Sequence, residues 1–291
     1  MAAIGIATLM SRLIKRTILW VSLLTFFYVL LCTYMWAAQR EKIFLPSPHL
    51  QTTPDRNGLR FEDVKIPSGS GAERGELNGW WIPAEQAGAP VLLYLHGNLN
   101  NISANAEHAT RLHSLGYNLL LVDYRGYGTS TGGKPSEEKV YQDAEAAWNY
   151  LMGRPGAAPQ RTFIYGHSLG GAIAIDLAVR HAEAAGLIAE STFTSMRAIV
   201  DEQYPWMPVA LLLNQNFDSQ SKIGILKIPV LFIHGTSDSK ISYLMSQQLF
   251  DHAPQPKYLT LIKGGEHNNN SGVAWLEYRS AVMAFVQKHT H

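Results

Sequence analysis

The first apolar block runs from Thr17 to Gln39 without a single charge, with Arg12, Lys15 and Arg16 before it and Arg40 and Lys42 after it. Its centre, Ile18 to Leu31, shows no polar face. A helix of a soluble domain would show one. About 20 apolar residues suffice to cross a bilayer. Trp20, Tyr34 and Trp36 lie near the ends, where an interfacial aromatic belt would put them. The block therefore predicts a membrane anchor over residues 1–40. The competing reading is a cleaved signal peptide with Ala37-Ala38 near the cut. Apolar cores of signal peptides run to about 15 residues, shorter than this one. Basic residues before the block slightly outnumber those just after it. That favours a cytoplasmic N-terminus and an exported C-terminal domain at a bacterial inner membrane.

Beyond the block the pattern changes character. Residues 41–60 carry Pro46, Pro48, Pro54 and Asn57-Gly58 and predict an extended linker. Phe61 to Ile66 alternates with period two, and Glu76 to Ile82 follows a Ser/Gly turn, which together predict an antiparallel hairpin. Val91–Leu95, Asn118–Val122, Arg161–Tyr165, Gly186–Glu190 and Pro229–His234 are short apolar runs of the kind buried on both faces. Helical patterns separate them, at about 102–115, 136–152, 172–180, 242–252 and 272–288, with a last strand at Lys257–Ile262. Strand and helix alternate over residues 61–291. The expected fold is α/β, a mostly parallel sheet with helices on both faces. One stretch breaks the alternation. Residues 192–227 contain Tyr204-Pro-Trp-Met-Pro-Val-Ala-Leu-Leu-Leu213, two prolines among large apolar groups. It reads either as a core helix with a proline start or as a small cap lining an apolar cleft.

Composition narrows the function classes. The net charge of +1 gives no basis for nucleic-acid binding, which needs a clustered basic face. Cys32 is the sole cysteine, so no internal disulfide can form. No Cys/His cluster has zinc spacing, and neither a metal nor a cofactor is expected.

The candidate chemistry centres on Gly166-His-Ser-Leu-Gly170, between a predicted strand and a predicted helix. A serine between glycines at such a junction is a nucleophile elbow. The sharp turn lifts the hydroxyl clear of the sheet, and the helix N-terminus offers free N–H groups to a forming negative charge. The hydroxyl needs a base, and the base needs an acid to hold its ring. Both should come from loops at the carboxyl ends of later strands. Asp238 in Gly235-Thr-Ser-Asp238 and His267 in Gly264-Gly-Glu-His267 stand in such positions.

The order Ser168, Asp238, His267 is that of the alpha/beta-hydrolases. More narrowly, the chain resembles the membrane-anchored serine hydrolases of the alpha/beta-hydrolase-domain group, which includes esterases, thioesterases and serine aminopeptidase-like proteins. The matching motifs are His96-Gly-Asn98, Asp123-Tyr-Arg-Gly-Tyr-Gly128, the elbow, Glu190-Ser-Thr-Phe193, His234-Gly-Thr-Ser-Asp238 and Gly265-Glu-His267, from about residue 60 onward. The resemblance implies Ser168 as nucleophile, His267 as general base and then acid, and Asp238 as the group orienting the imidazole. It implies an oxyanion hole from the backbone N–H groups of Asn98 and Leu169. It departs at Ser239-Lys-Ile-Ser242, where relatives often carry an acidic residue and a Val-Pro pair. Glu190 is the rival acid. His96, His167, His234, Asp123 and Arg125 read as structural.

The expected function is hydrolysis of a small-molecule carboxylic ester, thioester or lipid-like substrate at a membrane. The alternatives are a serine aminopeptidase-like peptidase and an inactive membrane-tethered binding module. Oligomeric state stays open. Two glycosylation sequons, at Asn101 and Asn269, lie beside the expected active-site loops and argue against a glycosylating lumen.

Overall fold

The computed structural model describes residues 2–208 and 212–290, with side chains from Leu9 onward. Helix α1, Ala2–Ile43, is unbroken. The segment Leu9–Ile43 is long and apolar enough to cross a membrane.

The strands that follow are β1 Leu45–Pro46, β2 Glu62–Ser68, β3 Gly75–Ile82, β4 Val91–Leu95, β5 Leu99–Asn100, β6 Asn118–Val122, β7 Thr162–His167, β8 Gly186–Glu190, β9 Val230–Gly235 and β10 Lys257–Ile262. The helices are α2 Ala106–His113, α3 Glu137–Met152, α4 Leu169–Arg180, α5 Met196–Gln203, α6 Ser219–Ile223, α7 Tyr243–His252, α8 Asn270–Val273 and α9 Trp275–His289. Eight strands form one sheet in the order β10-β9-β8-β7-β4-β6-β3-β2. The six from β10 to β6 pair in parallel, and β3 is antiparallel to both β6 and β2. This is the expected mostly parallel sheet, with the hairpin at one edge.

Period-two alternation feeds two cores. In β4, Leu93 and Leu95 face α3, α4 and α7, while Leu92 and Tyr94 face α2 and α9. Both faces being covered explains why the strand reads as a continuous apolar run. Strand order reverses at β4 and β7, since β6 lies on one side of β4 and β7 on the other. In open α/β sheets ligands bind beyond the carboxyl ends of strands at such a point. The loops after β4 and β7 carry Asn98 and Ser168.

Three boundaries differ from the sequence reading. Residues 41–60 do not form a free linker. Phe44 is buried in the main core and meets Phe217 edge-on at 6.0 Å, β1 pairs with β5, and Pro54 is buried in a 3₁₀ turn. The expected helix at 102–115 begins as a 3₁₀ turn, Ile102–Asn105, because the Asn101 side chain accepts from the Ser103 N–H at 3.0 Å and caps it early. The expected helix at 272–288 is split into α8 and α9. The 192–227 insertion carries α5 and α6. Within its apolar stretch, residues 209–211 lie outside the described residues.

Arg125 clamps the Gly-rich loop to α3. Its Nη2 donates to Asp143 Oδ1 at 2.7 Å and its backbone N–H to Asp143 Oδ2 at 2.9 Å, with both side chains buried. Arg125→Met strands the Asp143 carboxylate and should cost about 3–5 kcal/mol in denaturant unfolding. Arg125→Met combined with Asp143→Leu should recover much of that loss. A double variant as unstable as the single one would argue against desolvation as the cause.

Candidate active site

Ser168 stands between the end of β7 and the start of α4, with φ 56° and ψ −121°. A positive φ is costly for any residue with a Cβ, and packing must hold it. Gly166 and Gly170 are what allow that packing. A Cβ on Gly166 would stand 2.2 Å from the Gly170 carbonyl oxygen, and one on Gly170 would stand 2.0 Å from that of Leu95. No side chain larger than hydrogen fits at either position.

The loops after β9 and β10 bring two more groups to this point. His267 Nε2 lies 3.0 Å from Ser168 Oγ, and His267 Nδ1 lies 2.7 Å from Asp238 Oδ2. Asp238 Oδ1 accepts from the backbone N–H groups of Lys240 and Ile241, each at 2.9 Å. Burial works to raise the Asp238 pKa. Hydrogen bonds from His234, His267 and the Ile241 N–H outweigh it and hold the carboxyl far below the usual range. A carboxyl held this low is an anion at neutral pH, the state a group facing an imidazolium would need.

His234 was not expected here. The sequence reading grouped it with His96 as a structural strand-end residue. Its Nε2 lies 3.1 Å from Asp238 Oδ2 and 3.0 Å from the Ile241 carbonyl oxygen, and its Nδ1 lies 2.7 Å from Ser246 Oγ. It thus fixes the carboxylate that faces His267. The spacing of four between His234 and Asp238 was the available signal.

The remaining expected residues fall as follows. Leu169 is the first residue of α4, where N–H groups have no intrahelical acceptor. Asn98 sits across from it. Its side chain donates to the Ile43 carbonyl oxygen at 2.9 Å, and its own carbonyl accepts from Leu45 N–H at 3.0 Å and Tyr127 Oη at 2.8 Å. Among the described residues, neither N–H donates to a backbone carbonyl of a turn or loop. Glu190 is brought near but not into the relay. Its carboxylate accepts from Asn270 Nδ2 at 3.0 Å, from the Tyr278 hydroxyl at 2.8 Å and from Tyr165. His167 turns away from Ser168 and pairs through Nε2 with the His267 carbonyl at 2.8 Å.

Two cavities meet at Ser168. One, of about 310 Å³, is apolar and is walled by Phe193, Met196, Ile199, Met207 and Leu213 of the insertion and by Met35 of α1. The other, of about 450 Å³, is more polar than the first and is lined by Asn100, Asn105, His108, His167, Lys240 and Asn268, with Leu45 and Leu99 among others.

Comparison with known proteins agrees with this architecture. Residues 87–223 match the family described as serine aminopeptidase, S33. An uncharacterised protein of Mycobacterium tuberculosis is 36% identical over 238 residues, covering 81% of this chain and 83% of that protein. The alpha/beta hydrolase domain-containing protein 17B of Xenopus laevis is 34% identical over 180 residues, covering 62% of this chain and 60% of that protein. Among solved structures, a Pyrococcus furiosus esterase superposes with a TM-score of 0.70 at 22% identity, covering 86% of this chain and 98% of that one. The chain belongs to the alpha/beta-hydrolase superfamily.

In this hydrolase the departure after Asp238 is local to the site. Lys240 reaches both cavities and Ile241 lines the apolar one. The sequon at Asn101 is closed to glycosylation. Its side chain is buried and donates to the carbonyls of Ser47 and His49, each at 2.9 Å.

His167 gives the hydrolase a pH signature. Burial pushes its pKa from 6.5 down to about 4. Between those values the unfolded chain binds the proton and the folded chain does not, so stability falls as pH falls through that window. The loss attributable to His167 should reach about 3 kcal/mol at pH 4 relative to pH 7. His167→Gln should lose correspondingly less over the same range in denaturant unfolding. Parallel pH profiles for the two proteins would mean that the folded state does not hold this imidazole neutral.

Proposed function

We propose that this chain is a serine hydrolase that cleaves a carboxylic ester or thioester through an acyl-enzyme. The observation carrying the proposal is the continuous relay from Ser168 Oγ through His267 to Asp238, at 3.0 and 2.7 Å, at the switch point of the sheet. Ser168 Oγ attacks the substrate carbonyl carbon while His267 Nε2 takes its proton. Asp238 stabilises the imidazolium. The carbonyl oxygen becomes an oxyanion facing the N–H groups of Leu169 and Asn98. Collapse breaks the bond to the alcohol or thiol, which leaves with the proton from His267. Water then repeats the sequence on the acyl-serine, with His267 as base and then acid, and releases the carboxylic acid.

The two cavities supply the division of the substrate. The apolar one suits an acyl chain and the polar one suits an alcohol or thiol bearing polar groups. We read α1 as a retained membrane anchor that holds the site at a lipid surface.

A second reading, an aminopeptidase, is favoured by the description of the matched family. Such an enzyme needs a carboxylate to receive the substrate's terminal amine. Among the described residues lining the two cavities, Glu190 is the sole carboxylate, and both of its oxygens are already engaged. The ester reading is therefore the stronger.

Ser168→Ala should abolish labelling by a fluorophosphonate and the turnover of p-nitrophenyl esters. Asp238→Asn should keep the fold and lower kcat by about ten-thousand-fold, as loss of the correct imidazole tautomer does in related relays. Full labelling of the Ser168→Ala protein would remove the nucleophile assignment. Faster release from aminoacyl p-nitroanilides than from esters would favour the peptidase.

A further inference from the structure

We infer that the C-terminal third of α1 is a wall of the acyl site, and that the substrate is a membrane-resident monoacyl lipid whose chain enters Ser168 along that helix. This rests on the serine-hydrolase reading and goes beyond it, because the anchor becomes part of the binding site.

The contact is specific. Most of α1 is exposed, but Cys32 and Gln39 are buried and Met35 and Ile43 are half-buried. The spacings of three and four put these residues on one stripe of the helix. The stripe is bonded to the domain as well as packed on it. Gln39 Nε2 donates to the Leu212 carbonyl at 3.0 Å, and Gln39 Oε1 accepts from Asn214 N–H at 2.8 Å. The helix ends at Ile43, whose carbonyl accepts from Asn98. Met35, Gln39, Lys42 and Ile43 all line the apolar cavity that contains Ser168 and His267.

The depth of this wall points to the source of the substrate. The uncharged run Thr17–Gln39 is about 34 Å long as a helix, close to the hydrocarbon thickness of a bilayer. With that run in the membrane, Gln39 lies at its edge and Arg40 and Lys42 in the headgroup layer. Met35 then lies about 6 Å inside the hydrocarbon from Gln39. The cap follows the helix inward. Tyr28 Oη donates to the Trp206 carbonyl at 3.1 Å, eleven residues or about 16 Å from Gln39 along the helix. Tyr204 and Trp206 are exposed beside it. Helix and cap thus form an apolar track from the bilayer to the nucleophile. The polar cavity on the other side of Ser168 has room for a small headgroup.

The test uses the full chain in phosphatidylcholine–phosphatidylglycerol vesicles. Wild type should cleave p-nitrophenyl dodecanoate with a kcat/KM at least tenfold above that for the acetate. Met35→Trp fills the α1 wall and should lower this ratio tenfold or more. Leu30→Trp, exposed on the opposite, outward face of the helix, should leave it unchanged. An unchanged ratio in Met35→Trp overturns the wall assignment. A second measurement needs no variant. A dodecyl fluorophosphonate with a terminal diazirine, bound at Ser168 of wild type and irradiated, should cross-link to residues 28–43. Cross-links confined to the rest of the domain overturn the proposal. Monododecanoylglycerol in the same vesicles should be hydrolysed. Hydrolysis restricted to an S-dodecanoyl peptide overturns the lipid assignment. Wild type that neither labels nor cleaves the acetate fails the serine-hydrolase reading itself, and this proposal falls with it.

Discussion

A Cβ at residue 170 would stand 2.0 Å from the carbonyl oxygen of Leu95. That closeness of α4 to β4 and β7 is what the site is built on. It leaves the chain too little room for a relaxed turn between strand and helix, so Ser168 takes φ 56°. The same approach aims the first N–H of α4 at the space above Ser168 and sets the loop carrying Asn98 opposite. Strain at one residue and two N–H groups beside its hydroxyl therefore come from a single packing decision. The other groups need only reach this fixed point, and the loops after β9 and β10 do so because parallel strands all end on the same side.

The relay is held from behind as firmly as from the front. Asp238 is fixed by two backbone N–H groups and by His234, which is in turn held by Ser246. The loop of His267 is tied to β8 through Asn270, which donates to Glu190 and to Ser191 Oγ, each at 3.0 Å. Glu190 is thus excluded as the relay's acid by its own hydrogen bonds. Its buried carboxylate stabilises the turn that presents the imidazole.

Much of this was legible in the chain. Elbow, candidate acid and candidate base are local motifs, and a mostly parallel sheet follows from the alternation of strands and helices, so Ser168, Asp238 and His267 stand out in the sequence as candidates. What stayed hidden depends on contacts between distant segments. Nothing in a run of apolar residues marks which stripe of α1 will meet the domain, since a lipid-facing and a protein-facing side are equally apolar. Gln39 was the one local hint, a polar residue at the end of the run that finds partners at Leu212 and Asn214. Phe44 was equally mute, because a lone aromatic among prolines reads as linker until Phe217 is seen beside it. The contact of His234 with Asp238 was not foreseen, because both His234 and His96 read only as histidine–glycine pairs at strand ends.

The packing of α1 bears on whether it is an anchor or a cleaved signal. Cleavage near Ala37-Ala38 would remove Met35 and Cys32 from the stripe and leave a new charged amine against Gln39, at the rim of the apolar cavity. Burying such a charge without a partner is costly. Among the described residues lining that cavity there is no carboxylate to pair with it. Retention has the opposite effect on the substrate side. Bringing a dodecanoyl chain out of a bilayer through water would cost roughly 9 kcal/mol at ~0.8 kcal/mol per methylene. A route along the helix that already lies in the lipid avoids that step. On the proposed reading, the helix that anchors the protein would also admit its substrate, along the stripe of side chains from Tyr28 to Ile43 that packs on the domain.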